Sequence, residues 1–196
     1  MHTVLVTGIN GFVGKHLARE LASRDVKVIG VGQRESTADA EIADLLEAYY
    51  QCDVTDQAAV SQLPLSSVDC IINLAGLANV GASFDNPDVY MKINVEVLSV
   101  LGDELLAVNP SARMIAVSTG ALYDPSQSMP LSEQSRVIKD GSPYALSKLA
   151  MEQAAMDLRD KGLDCVVVRP FNHIGPGQGT GFLLPDLTKQ LLETDQ

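Results

Sequence analysis

The chain has 196 residues, 46% of them hydrophobic and 20% charged, with 25 acidic against 14 basic side chains and a net charge of -11 at pH 7. That composition supplies one sizeable core and excludes disordered and collagen-like classes, while the acidic balance argues against nucleic acid or an anionic membrane surface as partner. No apolar run approaches the roughly 20 residues needed to span a bilayer. No basic segment or signal-type apolar stretch precedes the first apolar run, so a cytoplasmic location is expected.

Residues 2–6 read as a short strand, followed by Thr7-Gly8-Ile9-Asn10-Gly11-Phe12-Val13-Gly14 and then by a helix over 15–24 with Leu17, Ala18 and Leu21 on one face. Strand, glycine turn and helix in that order let the backbone approach an anion and set it at a helix N-terminus, where N–H groups and the dipole favour negative charge. The spacing is Gly-x-x-Gly-x-x-Gly, not the commoner Gly-x-Gly-x-x-Gly, and a lone glycine turn also serves purely steric needs. The polar stretch 33–46 is expected to form a loop with a short helix. Further apolar runs of strand length fall at 26–31, 49–52, 70–74, 114–118 and 164–169, most of them separated by helix-patterned segments. Two of those segments are long: 87–108, with Tyr90, Ile93, Val97, Leu101 and Leu105 at helical spacing, and 144–161, with Leu149, Ala150, Ala154 and Leu158. This alternation predicts an α/β protein, a doubly wound parallel sheet with helices on both faces. Cys52, Cys70 and Cys165 lack metal-ligand spacing and read as reduced core thiols, and no metal is expected.

The densest chemical signal is Ser142-Pro143-Tyr144-Ala145-Leu146-Ser147-Lys148. Tyr144 and Lys148, at i and i+4, share one helix face. An unperturbed tyrosine, with a pKa of about 10, is a poor acid or base near neutrality, and a neighbouring cation in a desolvated site lowers it. Alone, the pair is better read as a half-buried ring beside a solvated lysine.

Glycine turn and Tyr-x-x-x-Lys together resemble the short-chain dehydrogenase/reductase superfamily, and within it the extended branch, the NAD-dependent epimerase/dehydratase family, which acts largely on nucleotide sugars. The resemblance extends to Asp53-Val54, Asn73-Leu74-Ala75-Gly76, Asn94 and Ser118-Thr119-Gly120-Ala121-Leu122-Tyr123. It implies a Rossmann domain over 1–178 and the beginning of a small substrate lobe over 179–196. It also implies cofactor contacts from Gly8, Asn10, Gly11, Phe12, Val13 and Gly14, from Arg34, from Asp53 and Val54, from Leu74, Ala75 and Gly76, and from Tyr144 and Lys148. The implied catalytic residues are Thr119, Tyr144 and Lys148: Tyr144 exchanges a proton with the sugar oxygen, Thr119 hydrogen-bonds that oxygen, and Lys148 holds the nicotinamide ribose while lowering the phenol's pKa.

Three departures refine the expectation. The second strand ends in Val31-Gly32-Gln33-Arg34, with an arginine where an acid would repel a 2′-phosphate, so NADP is expected, with NAD as the alternative. The dehydratase relatives carry an acid two places before the tyrosine of the hydroxyl segment and the GDP-fucose-pathway epimerase-reductases a cysteine, whereas Ala121 stands there here. Plain carbonyl reduction or alcohol oxidation is then the simplest chemistry, with a 4-epimerase, or a 4,6-dehydratase despite the missing acid, as alternative. The run Arg169-Pro170-Phe171-Asn172-His173-Ile174-Gly175-Pro176-Gly177-Gln178 resembles GDP-4-keto-6-deoxy-D-mannose reductases, which implies a GDP-linked sugar and makes Asn172, and more weakly His173, substrate contacts. Family members run well beyond 196 residues, so the chain is expected to be a fragment or a relative that binds NADP with little turnover alone. Family dimers pair through the helices over 87–108 and 144–161, and a homodimer is expected. A non-catalytic nucleotide-binding module is the other class, but it has no need of Thr119, Tyr144 and Lys148 together.

Overall fold

The computed structural model describes residues 2–35 and 40–194. Each apolar run becomes a strand: β1 (Thr3–Thr7), β2 (Lys27–Gly32), β3 (Ala48–Gln51), β4 (Cys70–Asn73), β5 (Arg113–Val117) and β6 (Asp164–Val168). All pair in parallel in the order β3-β2-β1-β4-β5-β6. The order reverses between β1 and β4, and it is beyond the carboxyl ends of strands at such a switch point that open α/β sheets bind ligands.

Seven helices accompany the strands among the described residues: α1 (Phe12–Ser23), α2 (Ala40–Ala43), α3 (Gln57–Val60), α4 (Val80–Asp85), α5 (Pro87–Val108), α6 (Pro143–Asp160) and α7 (Leu183–Thr194). Alternate residues of each central strand enter opposite clusters. Leu5, Ile71 and Met114 join Leu98 and Leu101 of α5 and Met151 and Leu158 of α6 on one face, while Val4, Val6 and Val28 join Ala18 of α1 on the other. This is the two-sided burial that an all-parallel sheet requires. A Cβ on Gly102 would collide with the Leu158 side chain, so that glycine sets how closely α5 and α6 approach.

The two long helices lie where their periodicity places them. Ser142 caps α6 by accepting the Ala145 N–H at 3.2 Å, and Pro143 occupies its first turn. α1 starts three residues before the expected 15, because Gly11 at its N-cap has no side chain to announce the start. The helices α3 and α4 were not anticipated; each is under two turns long, and only the cap residues Asp56 and Asn79 mark them. Of the expected loop and short helix over 33–46, residues 36–39 lie outside the described residues, and the rest contains α2. α7 begins at Leu183 and buries no residue. Among the described residues no helix is long and apolar enough to cross a membrane. The three cysteines are free thiols, and burial pushes Cys165 up to about 11.

Candidate active site

β1 and β4 end side by side and are locked together there. Thr7 Oγ1 donates to Asn73 Oδ1 at 2.6 Å and accepts the Ala75 N–H at 3.1 Å. Gly8, at φ +66°, lies so close to this turn that a Cβ would sit 2.9 Å from Ala75 N and from the Leu74 carbonyl carbon. A Cβ on Gly14 would sit 2.5 Å from Gly8 O, and one on Gly76 2.7 Å from Asn94 Oδ1. The three glycines therefore keep open a backbone cradle that side chains would fill. Phe12, Val13 and Gly14 form the first turn of α1, a turn with no side-chain cap and no acidic residue, which leaves the positive end of the helix dipole uncompensated. Close backbone approach at an uncapped helix N-terminus is the kind of site that receives an anion.

The ends of β2 and β3 form the adjoining wall. Asn10 Nδ2 donates to Tyr49 Oη at 3.0 Å, and that hydroxyl donates to the Arg34 carbonyl at 2.6 Å, tying the glycine turn to the strand end that carries Arg34. The Arg34 side chain is exposed. Asp53 accepts from Thr55 N at 3.0 Å and Thr55 Oγ1 at 2.8 Å. These bonds, backbone first, hold its carboxyl below the usual range, with a lesser hydrogen bond from the Gln33 side chain. Val54 behind it is buried.

Tyr144, Lys148 and Thr119 converge beyond the end of β5. Tyr144 is 9% exposed; burial pushes its phenol above the ordinary value, a hydrogen bond with the Thr119 hydroxyl opposes that, and Tyr90 adds to the rise. Thr119 Oγ1 accepts the Ala121 N–H at 3.2 Å, so its own proton is free to point at the phenol oxygen. The Lys148 amine donates to the Val117 carbonyl at 2.9 Å and lies beside Gly76, where a Cβ would be 3.8 Å from Nζ. Burial pulls its pKa down to about 8, and the Glu152 carboxylate opposes the fall. Here the structure corrects the sequence expectation. The phenol is raised, not lowered, because desolvation dominates and the ammonium is turned to a backbone carbonyl instead of the ring oxygen.

Asn172 and His173 lie on the exposed loop after β6, and the His173 carbonyl accepts from Gln178 Nε2 at 3.2 Å. This loop is drawn over α1: the His16 ring nitrogen Nε2 is 3.0 Å from the Pro176 carbonyl, and a Cβ on Gly175 would touch Phe12. Two features of the site were not foreseen. Asn94 buries its amide between Leu77, whose N–H it accepts at 2.8 Å, and Ser147 of α6 at 2.8 Å; the motif flags the residue, but not this bridging. Glu152 joins Ser118 and Arg169 just behind Lys148, and no local spacing announces it.

A parallel sheet with a glycine cradle at its switch point, and a tyrosine, lysine and threonine at the neighbouring strand end, defines a Rossmann protein of the short-chain dehydrogenase type. Residues 4–195 match the NAD dependent epimerase/dehydratase family, and the chain belongs to that family. It is 30% identical over 98% of its length to a GDP-6-deoxy-D-mannose reductase of Pseudomonas aeruginosa. It is also 32% identical over 88% of its length to a UDP-glucuronate 4-epimerase of Thermodesulfobacterium geofontis. The chain spans 59% and 56% of these two relatives. Among solved structures it is similar to the dTDP-glucose 4,6-dehydratase DesIV of Streptomyces venezuelae, determined with NAD bound, at a TM-score of 0.86 and 27% identity, covering 98% of this chain and 62% of that one. A UDP-glucose 4-epimerase of Thermotoga maritima gives 0.85 and 25%, covering 97% and 63%.

Proposed function

We propose that the chain provides the NADP-binding domain, over 1–178, and the start of the substrate lobe, over 179–196, of a reductase acting on a GDP-linked 4-keto-6-deoxy sugar. The observation that carries the reading is the hydrogen-bonded Tyr144 and Thr119 beyond the end of β5, with the Lys148 amine held between the Val117 carbonyl and the Gly76 turn. Gly8, Gly14 and Gly76 would hold the pyrophosphate of the cofactor, whose reduced nicotinamide would supply a hydride for the sugar's carbonyl carbon. Tyr144, hydrogen-bonded with the Thr119 hydroxyl, would give its proton to the carbonyl oxygen. Thr119 holds that oxygen, and Lys148 holds the ribose. Ala121 offers neither the acid a dehydration needs nor a thiol, which favours reduction over the 4,6-dehydratase alternative. Asn172 and His173 lie on the loop after β6 and are assigned to the sugar.

A 4-epimerase needs the same three side chains, and the similarity to the UDP-glucuronate 4-epimerase supports keeping that reading. The two differ in net redox change. Stoichiometric NADPH oxidation with a GDP-4-keto-6-deoxy sugar is the expected result. Interconversion of UDP-sugars with no net NADPH consumption would replace the reductase reading, and absence of binding of both NADPH and NADH in fluorescence titrations would end both.

Arg34 is assigned to the 2′-phosphate. Arg34→Ala should weaken NADPH binding about tenfold, a loss on the scale of one charge-assisted hydrogen bond, and change NADH affinity less than about twofold. Tighter binding of NADH than NADPH by the unaltered protein would reverse the assignment. Exposed Val89 and Met91 on α5 and Met156 on α6 support a homodimer through these helices, which sedimentation at several concentrations tests.

A further inference from the structure

Glu152 is 5% exposed and fully engaged. Ser118 Oγ donates to its Oε1 at 2.6 Å, Arg169 Nε to the same oxygen at 2.8 Å, and an Arg169 terminal nitrogen to Oε2 at 2.6 Å. A bidentate arginine pair of this kind is strong and directional. Its three members come from three elements: α6, the residue after β5, and the residue after β6. Each also carries or adjoins a site residue. Glu152 follows Tyr144 and Lys148 at successive i+4 steps of α6, so all three lie on one helix face. Ser118 immediately precedes Thr119, and Arg169 leads into the loop with Asn172 and His173.

A second link runs from the pair to Thr119. The Arg169 guanidinium lies 5.1 Å from the centroid of the Tyr123 ring, and that ring stacks on Phe171 at 6.1 Å and 16°. Phe171 packs against Gly120, where a Cβ would be 2.9 Å from its ring, and Gly120 N donates to the Pro170 carbonyl at 2.7 Å. The residues flanking Thr119 on both sides are thus held to the β6 end, while the Glu152 carboxylate holds that assembly to α6.

We propose that Glu152 is a positioning residue: with Arg169 and Ser118 it clamps the helix bearing Tyr144 and Lys148 to the strand ends bearing Thr119 and Asn172, one helical turn beyond Lys148. The inference rests on the reading of Thr119, Tyr144 and Lys148 as the reacting set. Around Lys148, β5 presents the Val117 carbonyl, the turn after β4 presents Gly76, α5 presents the Asn94 amide next to Gly76, and α6 presents Met151 and, one turn to either side, the Tyr144 phenol and Glu152. Around Glu152 the charged or titratable groups are Lys148, Arg169 and, across the guanidinium, Tyr123; the groove where the pair meets the surface adds uncharged Met91 of α5 and Val137. Within these surroundings Glu152 is the carboxylate one helical turn from Lys148 and Arg169 the cation bound to that carboxylate, so removing one or the other should move Lys148 in opposite directions.

The test is the titration of Lys148 in the free protein, followed by the 13Cε resonance of labelled lysine and assigned with Lys148→Arg. Glu152→Gln keeps the shape but leaves Arg169 unopposed, and the midpoint should fall by about 1 pH unit or more; Arg169→Gln leaves the carboxylate unopposed, and the midpoint should rise toward that of an ordinary lysine. If Glu152→Gln does not fold, the upward shift in Arg169→Gln still decides, because a purely structural ion pair predicts no rise. Folded variants that shift the midpoint in the same direction, or not at all, overturn the proposal. The readout uses neither cofactor nor sugar, so a failed turnover assay counts against the reductase reading and not against this one.

Discussion

Tyr144→Phe is expected to leave NADPH affinity within about threefold and to lower turnover of the 4-keto sugar by about 10²–10⁴-fold, the range a positioned acid contributes. The substitution removes one hydroxyl from a ring that is already buried and packed, so the lost hydrogen bond costs only about 1 kcal/mol of stability. What it removes from the site is the proton. The phenol sits above its ordinary pKa because it is desolvated, and the Thr119 hydroxyl, accepting from Ala121 N–H, can turn its own proton toward the oxyanion left after transfer. Thr119→Val should therefore reduce turnover in the same sense but less, since the phenol remains. Fluorescence titration and turnover measured side by side, with a thermal melt, separate the outcomes. Loss of folding equal to the loss of activity would make Tyr144 a core residue and nothing more.

Much of this site is legible in the sequence because its parts are local. Gly8, Gly11 and Gly14 mark their turn through backbone conformation, and the i,i+4 spacing of Tyr144 and Lys148 survives into α6 unchanged. The long helices α5 and α6 repeat their apolar positions often enough to be recognised, whereas α3 and α4 are too short to establish a period. Sheet order is a different matter. The strands announce themselves as apolar runs, but which run neighbours which depends on crossovers, and so the switch between β1 and β4 appears only in the fold.

The parts that escaped reading are those assembled across long separations. Ser118 and Glu152 are 34 positions apart, and Glu152 and Arg169 are 17 apart; the three meet only because α6 crosses the ends of β5 and β6. A glutamate inside an amphipathic helix reads as a solvated charge until its partner is placed. The error about Lys148 has the same origin. Helical spacing puts its amine on the face of Tyr144, but the Val117 carbonyl that captures it belongs to another element. Local spacing defines a shared face and leaves open the direction in which a long side chain is drawn.

Lys148→Met is expected to stabilise the protein at neutral pH while removing its proposed function. The side chain is 8% exposed, and burial lowers its pKa from 10.5 to about 8 against the pull of Glu152. The folded state thus releases its proton at lower pH than the unfolded chain. Between about 8 and 10.5 the unfolded chain binds more protons, so stability from this group rises with pH through that window, and below about 8 the whole penalty of burying the ammonium is present. A shift of this size corresponds to about 3 kcal/mol. Methionine forfeits the bond to the Val117 carbonyl, about 1 kcal/mol, leaving a net gain of about 2 kcal/mol at pH 7. For a chain of this length that gain raises Tm by about 4–8 °C. Read as the difference between variant and parent, it should fade as the pH approaches 10.5 and end as a small loss. A gain that does not change with pH would mean that the ammonium carries no burial penalty and that methionine acts through packing alone. A gain that fades on schedule, accompanied by weakened NADPH binding, is the behaviour of a residue kept against the interest of the fold.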